Sequence, residues 1–305
     1  MSGCSSRGPV RSIRHRLALV ALLAAAVSAC AASAGGAAGN ARSPLPFAAC
    51  DAGRRVPATA RRHCVPSSRL VVRFGTTHLR PVWRGTFARS GPAGWSAVSA
   101  VPGDIATATA PHIGGLAGLF RVGPGDSPVS SGERAEVVAS QQAIAGFPGT
   151  EAWYAWSTYF PLAFGPVPQQ TWNIFTQWHE TNPDHCHPNV MFAVDTVRQP
   201  AQIRLTVRGG ALDPRTCIPS SNRSWQLVPL ALGHWYDFVL HVRWSADRAA
   251  GFVELAINGR LVLLRTAIPT LYAGQGVYAK QGFYRAPYAG VSRIYQGGLT
   301  RLSSG

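Results

Sequence analysis

Outside its first thirty residues, no window of the chain sustains an apolar repeat of 3.6 residues; the patterning that recurs has a period of two. Tyr236 to Trp244 alternates cleanly, with Tyr236, Phe238, Leu240, Val242 and Trp244 on one face. Leu70 to Phe74 is a short apolar run, and Trp153 to Phe160 is aromatic and β-prone. The strongest local signal is residues 251–264, where two β-rich runs flank Asn258-Gly259. That dipeptide suits a type I′ hairpin turn because both central positions need positive φ. Short strands punctuated by glycine and proline predict an all-β chain: a two-sheet antiparallel sandwich or β-jelly roll.

The N-terminus follows a different pattern. Arg7, Arg11, Arg14 and Arg16 precede an apolar stretch from Leu17 to Val27, too short for an ordinary membrane span. Residues 1–30 therefore read as an export signal. Val27-Ser28-Ala29-Cys30 resembles a bacterial lipoprotein processing box, with Cys30 as the lipidated residue; cleavage near Ala41 is the alternative. Residues 31–49 form an Ala/Gly/Ser tether, and residues 50–305 read as one domain. The expected location is secreted or cell-surface, with membrane attachment only through that lipid.

Export changes the reading of the cysteines. Cys50, Cys64, Cys186 and Cys217 are an even set, which argues for two disulfides. Pairing Cys50 with Cys64 and Cys186 with Cys217 closes local loops, although four cysteines allow three connectivities. Asp184, His185, Cys186 and His187 with Cys217 could instead form a metal cluster, but no CxxC pair or spaced His pair accompanies them.

Charge narrows the partner. The 305 residues carry a formal charge of +16, and Lys280 is the only lysine among 29 basic residues. A chain beginning at Cys30 still carries +12. Such a surface suits a polyanion: nucleic acid, anionic membrane or acidic polysaccharide. Scattered arginines with no recognised module, together with export, argue against nucleic acid. No GxSxG elbow supports a serine hydrolase. A glycoside hydrolase needs two facing carboxylates, and Glu133 and Glu136 fall on opposite faces of a strand.

Three strand-like segments place polar residues at i, i+2 spacing, which puts their side chains on one face. These are Arg134 and Glu136; Asn173, Phe175, Gln177 and His179; and Tyr278, Lys280, Gly282 and Tyr284. An arginine fork would not fit a crowded site that accepts the compact ammonium of Lys280.

In this order, RxE, QxH and YxKxGxY, the segments resemble the jelly-roll polysaccharide lyases. Alginate lyases carry RxE, QIH and YFKxGxYNQ. The flanking residues 234–260 are more similar to the heparin lyase I and glucuronan lyase group, and the resemblance runs from about Val122 to Tyr295. Arg285 stands where alginate lyases have Asn, and Trp178 where they have Ile, which disfavours alginate.

The resemblance implies a concave cleft and β-elimination from a uronic-acid polymer. His179 and Tyr284 would be the catalytic pair. Gln177 and Arg134 would neutralise the uronate carboxylate, and Lys280 would assist Tyr284. Glu136 would orient Arg134, and Asn173, Glu136, Tyr278, Arg285 and Trp178 would line the substrate. No cofactor is expected; the family type admits a structural Ca²⁺, but no Asp/Glu-rich loop offers a site. The expected partner is an acidic polysaccharide bound by a monomer. The rival reading is a non-catalytic carbohydrate-binding jelly roll.

Overall fold

The structure is a computed structural model that describes residues 72–74, 77–129, 131–181 and 186–304. The expected signal, tether, Cys30 and the Cys50–Cys64 pair lie outside the described residues.

Among the described residues, seventeen strands form two antiparallel sheets. In chain order they are β1 (Val72–Phe74), β2 (Thr77–Ala88), β3 (Gly91–Ala93), β4 (Ala97–Ala100), β5 (Ile105–Thr109) and β6 (Leu116–Val122). There follow β7 (Glu133–Ala139), β8 (Glu151–Phe160), β9 (Asn173–Glu180), β10 (Val190–Asp195), β11 (Gln202–Asp213) and β12 (Ile218–Pro229). The last are β13 (His234–Arg243), β14 (Phe252–Ile257), β15 (Arg260–Ala267), β16 (Val277–Arg285) and β17 (Ser292–Ser303). The smaller sheet runs β12-β11-β10-β9-β16-β7-β4; the larger has β1-β2-β17-β8-β13-β14-β15 as its main path.

Period-two patterning explains how the sheets face each other. Tyr236, Phe238, Leu240, Val242 and Trp244 all point into the inter-sheet core, where they meet Phe175, Trp178 and Phe192 from the smaller sheet. Trp156 stacks on Phe238 at 4.8 Å and meets Trp178 edge-on. On β7, Ala135 and Val137 join the same core, so Arg134 and Glu136 are turned to the outer face. The predicted hairpin turn is present, with Asn258 at φ 51° and Gly259 at φ 74° between β14 and β15. Cys186 and Cys217 are joined at 2.07 Å, so their thiolates are not free to bind a metal as the cluster reading required. Among the described residues no three His, Cys, Asp or Glu side chains gather to hold one.

Candidate active site

The outer face of the smaller sheet carries a cleft of about 700 Å³ lined from β7, β9, β10, β11 and β16. Register alignment brings the three motifs together there. On β16, Lys280 sits opposite Gln177 and Tyr278 opposite His179. On its other side, Tyr284 sits opposite Arg134 and Gly282 opposite Glu136.

Gly282 makes that meeting work. Its φ is +146°, and a Cβ there would lie 2.1 Å from the Ala135 carbonyl oxygen. With no side chain on β16 at this point, Gln177 on β9 reaches past it to Glu136 on β7. Gln177 Nε2 donates to Glu136 Oε1 at 2.5 Å. The buried Gln177 Oε1 has no partner among the described residues. Arg134 Nη1 donates to Glu136 Oε2 at 3.4 Å, and Nη2 donates to the Ser131 carbonyl at 2.6 Å and hydroxyl at 2.9 Å. The guanidinium lies 3.8 Å over the Tyr284 ring. Trp172 meets that ring edge-on at 5.1 Å, and Tyr284 Oη donates to Ser131 Oγ at 3.4 Å. Gly132, at φ +59°, leaves room for the ring, since a Cβ there would be 2.6 Å from it.

His179 is partly open to the cleft. Its Nδ1 lies 2.6 Å from Oε2 of Glu180, a fully buried carboxylate. The approach is not aligned as a hydrogen bond, and neither Glu180 carboxylate oxygen has a hydrogen-bond partner among the described residues. Burial pushes the Tyr278 phenol up to about 12, reinforced by Glu180 and Glu136 and opposed by Arg134. Tyr278 is therefore a proton-bearing donor at neutral pH. Lys280 is 9% exposed, and its ammonium lies 5.5 Å from the Tyr278 ring. Burial draws its pKa down; Glu136 partly offsets this and Arg134 adds to it.

Several sequence expectations need correction. Lys280 stands beside Tyr278, whereas the cation against Tyr284 is Arg134. Four strand residues span about 13 Å, too far for Lys280 to serve Tyr284 directly. Asn173 and Phe175 do not share the Gln177 face. The β9–β10 register shifts between Phe192 and Ala193, and this bulge reverses the alternation. Ile174 faces outward and Phe175 packs in the core, while Asn173 is fully buried with its amide bonded to Val167 and Val194. Trp178 lies between two outward residues and fills the core. Arg285, next to Tyr284, points inward too, paired with Glu133 at 2.7 Å and donating to Ser292 Oγ at 2.7 Å. The Glu136 carboxylate is taken up by Gln177 and Arg134. Of the five expected substrate contacts, Tyr278 alone lines the cleft.

The motifs missed other residues of the cleft wall. His187 lines it; burial and then Arg208 lower its pKa, against Glu180. Arg204 and Arg208 come from β11, and Trp172 precedes β9. No short spacing linked Arg204 and Arg208 to the motifs, because the pairing of β11 with β10 and of β10 with β9 makes them neighbours, whereas Trp172 directly precedes the β9 motif. Glu180 was hidden for another reason: strict alternation sends it away from His179.

The family model for polysaccharide lyases matches residues 84–299. The chain belongs to that family. As a polysaccharide lyase it is an enzyme of β-elimination. Among solved structures, an endo-β-1,4-glucuronan lyase from the fungus Trichoderma reesei aligns with a TM-score of 0.58 at 16% identity, covering 73% of this chain and 95% of that one. An alginate lyase from Chlorella virus aligns at 0.44 and 11% identity over 68% and 91% of the two chains. An exolytic alginate lyase from Zobellia galactanivorans does so at 0.46 and 10% over 74% and 96%. At such identities the glucuronan lyase shows the shared fold, and this lyase is a jelly roll. No curated protein matches the chain by sequence.

Proposed function

We propose that this lyase is exported and cleaves a uronic-acid polymer of glucuronan or heparin type, leaving unsaturated uronate ends. One observation carries the reading. Arg134, Arg204, Arg208 and Lys280 line the cleft, and no Asp or Glu does among the described residues. A hydrolase pair of carboxylates has no place in that wall, whereas a polyanion is matched by it.

The reaction removes the proton at C5 of the uronate, forms the C4=C5 double bond, breaks C4–O4 and returns a proton to O4. The cleaved proton is weakly acidic because the adjacent carboxylate is already anionic. Arg134 and the second amide hydrogen of Gln177 are suited to hold that carboxylate as charge builds on it. In the neutral imidazole, the Glu180 carboxylate beside Nδ1 favours the His179 tautomer with its proton on Nδ1, leaving Nε2 free to accept the C5 proton. Tyr284, oriented by Arg134 and Trp172, is the group to protonate O4. Tyr278, which keeps its proton, is a donor to the sugar and not a base.

Incubation with glucuronan, heparosan, heparin and alginate tests this by absorbance of the unsaturated ends. His179→Ala and Tyr284→Phe should each lower turnover by roughly 10²–10⁴-fold with circular dichroism and melting unchanged. Absence of product on every uronate polymer, or full activity in either variant, would overturn the assignment.

A further inference from the structure

Arg204 and Arg208 share the cleft face of β11, two strands away from the row that carries Gln177 and His179. Their local partners are all uncharged. Arg204 Nε and Nη2 both donate to Thr206 Oγ1, at 3.1 and 3.0 Å. Arg208 Nη1 donates to the Pro188 carbonyl at 3.2 Å and approaches Met191 Sδ at 3.5 Å. Neither guanidinium makes an ion pair with a described residue. Asp195, which acts on Arg204 through charge, uses its own oxygens on Gln226 Nε2 and the Val197 amide.

Burial lowers the pKa of both arginines; in Arg208 Tyr272 opposes the shift, and in Arg204 Asp195 does. Two half-buried cations held against neutral groups add nothing favourable to folding. An anion in the cleft would offset that penalty. Arg204 Nη1 and Arg208 Nη2, which donate to no described residue, are free to grip one in the paired geometry suited to carboxylates and sulfates.

We infer that Arg204 and Arg208 form a second anion subsite, which binds the carboxylate or sulfate ester of a sugar next to the uronate being cleaved. This rests on the lyase reading above. It adds that the polymer must be anionic at consecutive or closely spaced sugars, so an alternating polymer with neutral, unsulfated partners is a poor substrate.

Three polymers separate the cases: glucuronan, with a carboxylate on every sugar; heparin, with sulfated partners; and heparosan, whose partner sugars are neutral. The wild type should cleave glucuronan or heparin with kcat/KM at least tenfold above heparosan, the better of the two naming carboxylate or sulfate as the anion. Arg204→Gln and Arg208→Gln should narrow that ratio at least fivefold, through KM more than kcat. Equal use of heparosan by the wild type, or an equal loss on all three polymers in the variants, would overturn the subsite. If no polymer is cleaved, the lyase reading fails by itself. Calorimetric affinities for oligosaccharides of the three kinds then decide the subsite by the same ranking.

Discussion

Lys280 is the only lysine of the chain, and its surroundings give a physical reason for that. The side chain is 9% exposed, holds its ammonium 5.5 Å from the Tyr278 ring, starts opposite Gln177 on β9, and makes no salt bridge with a described residue. A guanidinium there would need room for a planar fork and partners for five N–H groups. Lys280→Arg should therefore lower kcat/KM at least about tenfold despite conserving charge. The pH profile supplies a second readout. Burial pulls the Lys280 pKa below its usual 10.5, so its positive charge is lost on raising pH through that lowered value. Tyr278, pushed up to about 12, does not titrate in the same window. The wild-type alkaline limb should accordingly begin below the ordinary lysine range, and in Lys280→Arg the contribution of this group should vanish. Wild-type rates at all pH values in the variant would make the lone lysine a compositional accident.

Between neighbouring strands, alternation was legible in the sequence wherever it is regular. Tyr236 to Trp244 and the Asn258-Gly259 hairpin required only period-two reasoning and turn chemistry, and both appear as expected. On β9 the same reasoning failed because the bulge near Phe175 shifts the phase between Asn173 and Gln177, and no residue type there announces an inserted position. A second register shift, between Gln281 and Tyr284, relates β16 to β9. Gly282 lies within it and leaves the gap through which Gln177 meets Glu136. Gly282→Ala should thus do more than strain a positive φ, because its Cβ would strike the Ala135 carbonyl and force β7 from β16. The expected loss is at least about 2 kcal/mol, read from the urea midpoint, with activity falling further as the Gln177–Glu136–Arg134 network separates. An unchanged midpoint and activity would show that the sheet absorbs the methyl group elsewhere.

Across the whole molecule, a formal charge of +16 could act in two ways: as a diffuse field that draws in any polyanion, or as a few cations placed where the polymer lies. The sequence could not separate these, because Arg204 and Arg208 come to the Arg134 and Lys280 row only through the pairing of β11 with β10 and β10 with β9. The folded arrangement favours the second. Glu133 is paired inside with Arg285, and Glu136 is taken up on the outer face by Arg134 and Gln177, which leaves the cleft wall cationic among the described residues. Salt distinguishes the two. The screening length falls from about 10 Å at 0.1 M to about 3 Å at 1 M, so KM for a polyuronate should climb steeply with added NaCl while kcat changes little. If the cleft cations set that slope, Arg208→Gln should flatten a plot of log KM against log salt. Arg260→Glu, an exposed position on the β14–β15 hairpin of the other sheet, should leave it unchanged despite altering net charge by two. Equal flattening by both variants would assign the attraction to overall charge. Local control by Arg208 would mean that the polymer is recognised at the sheet surface that performs the elimination.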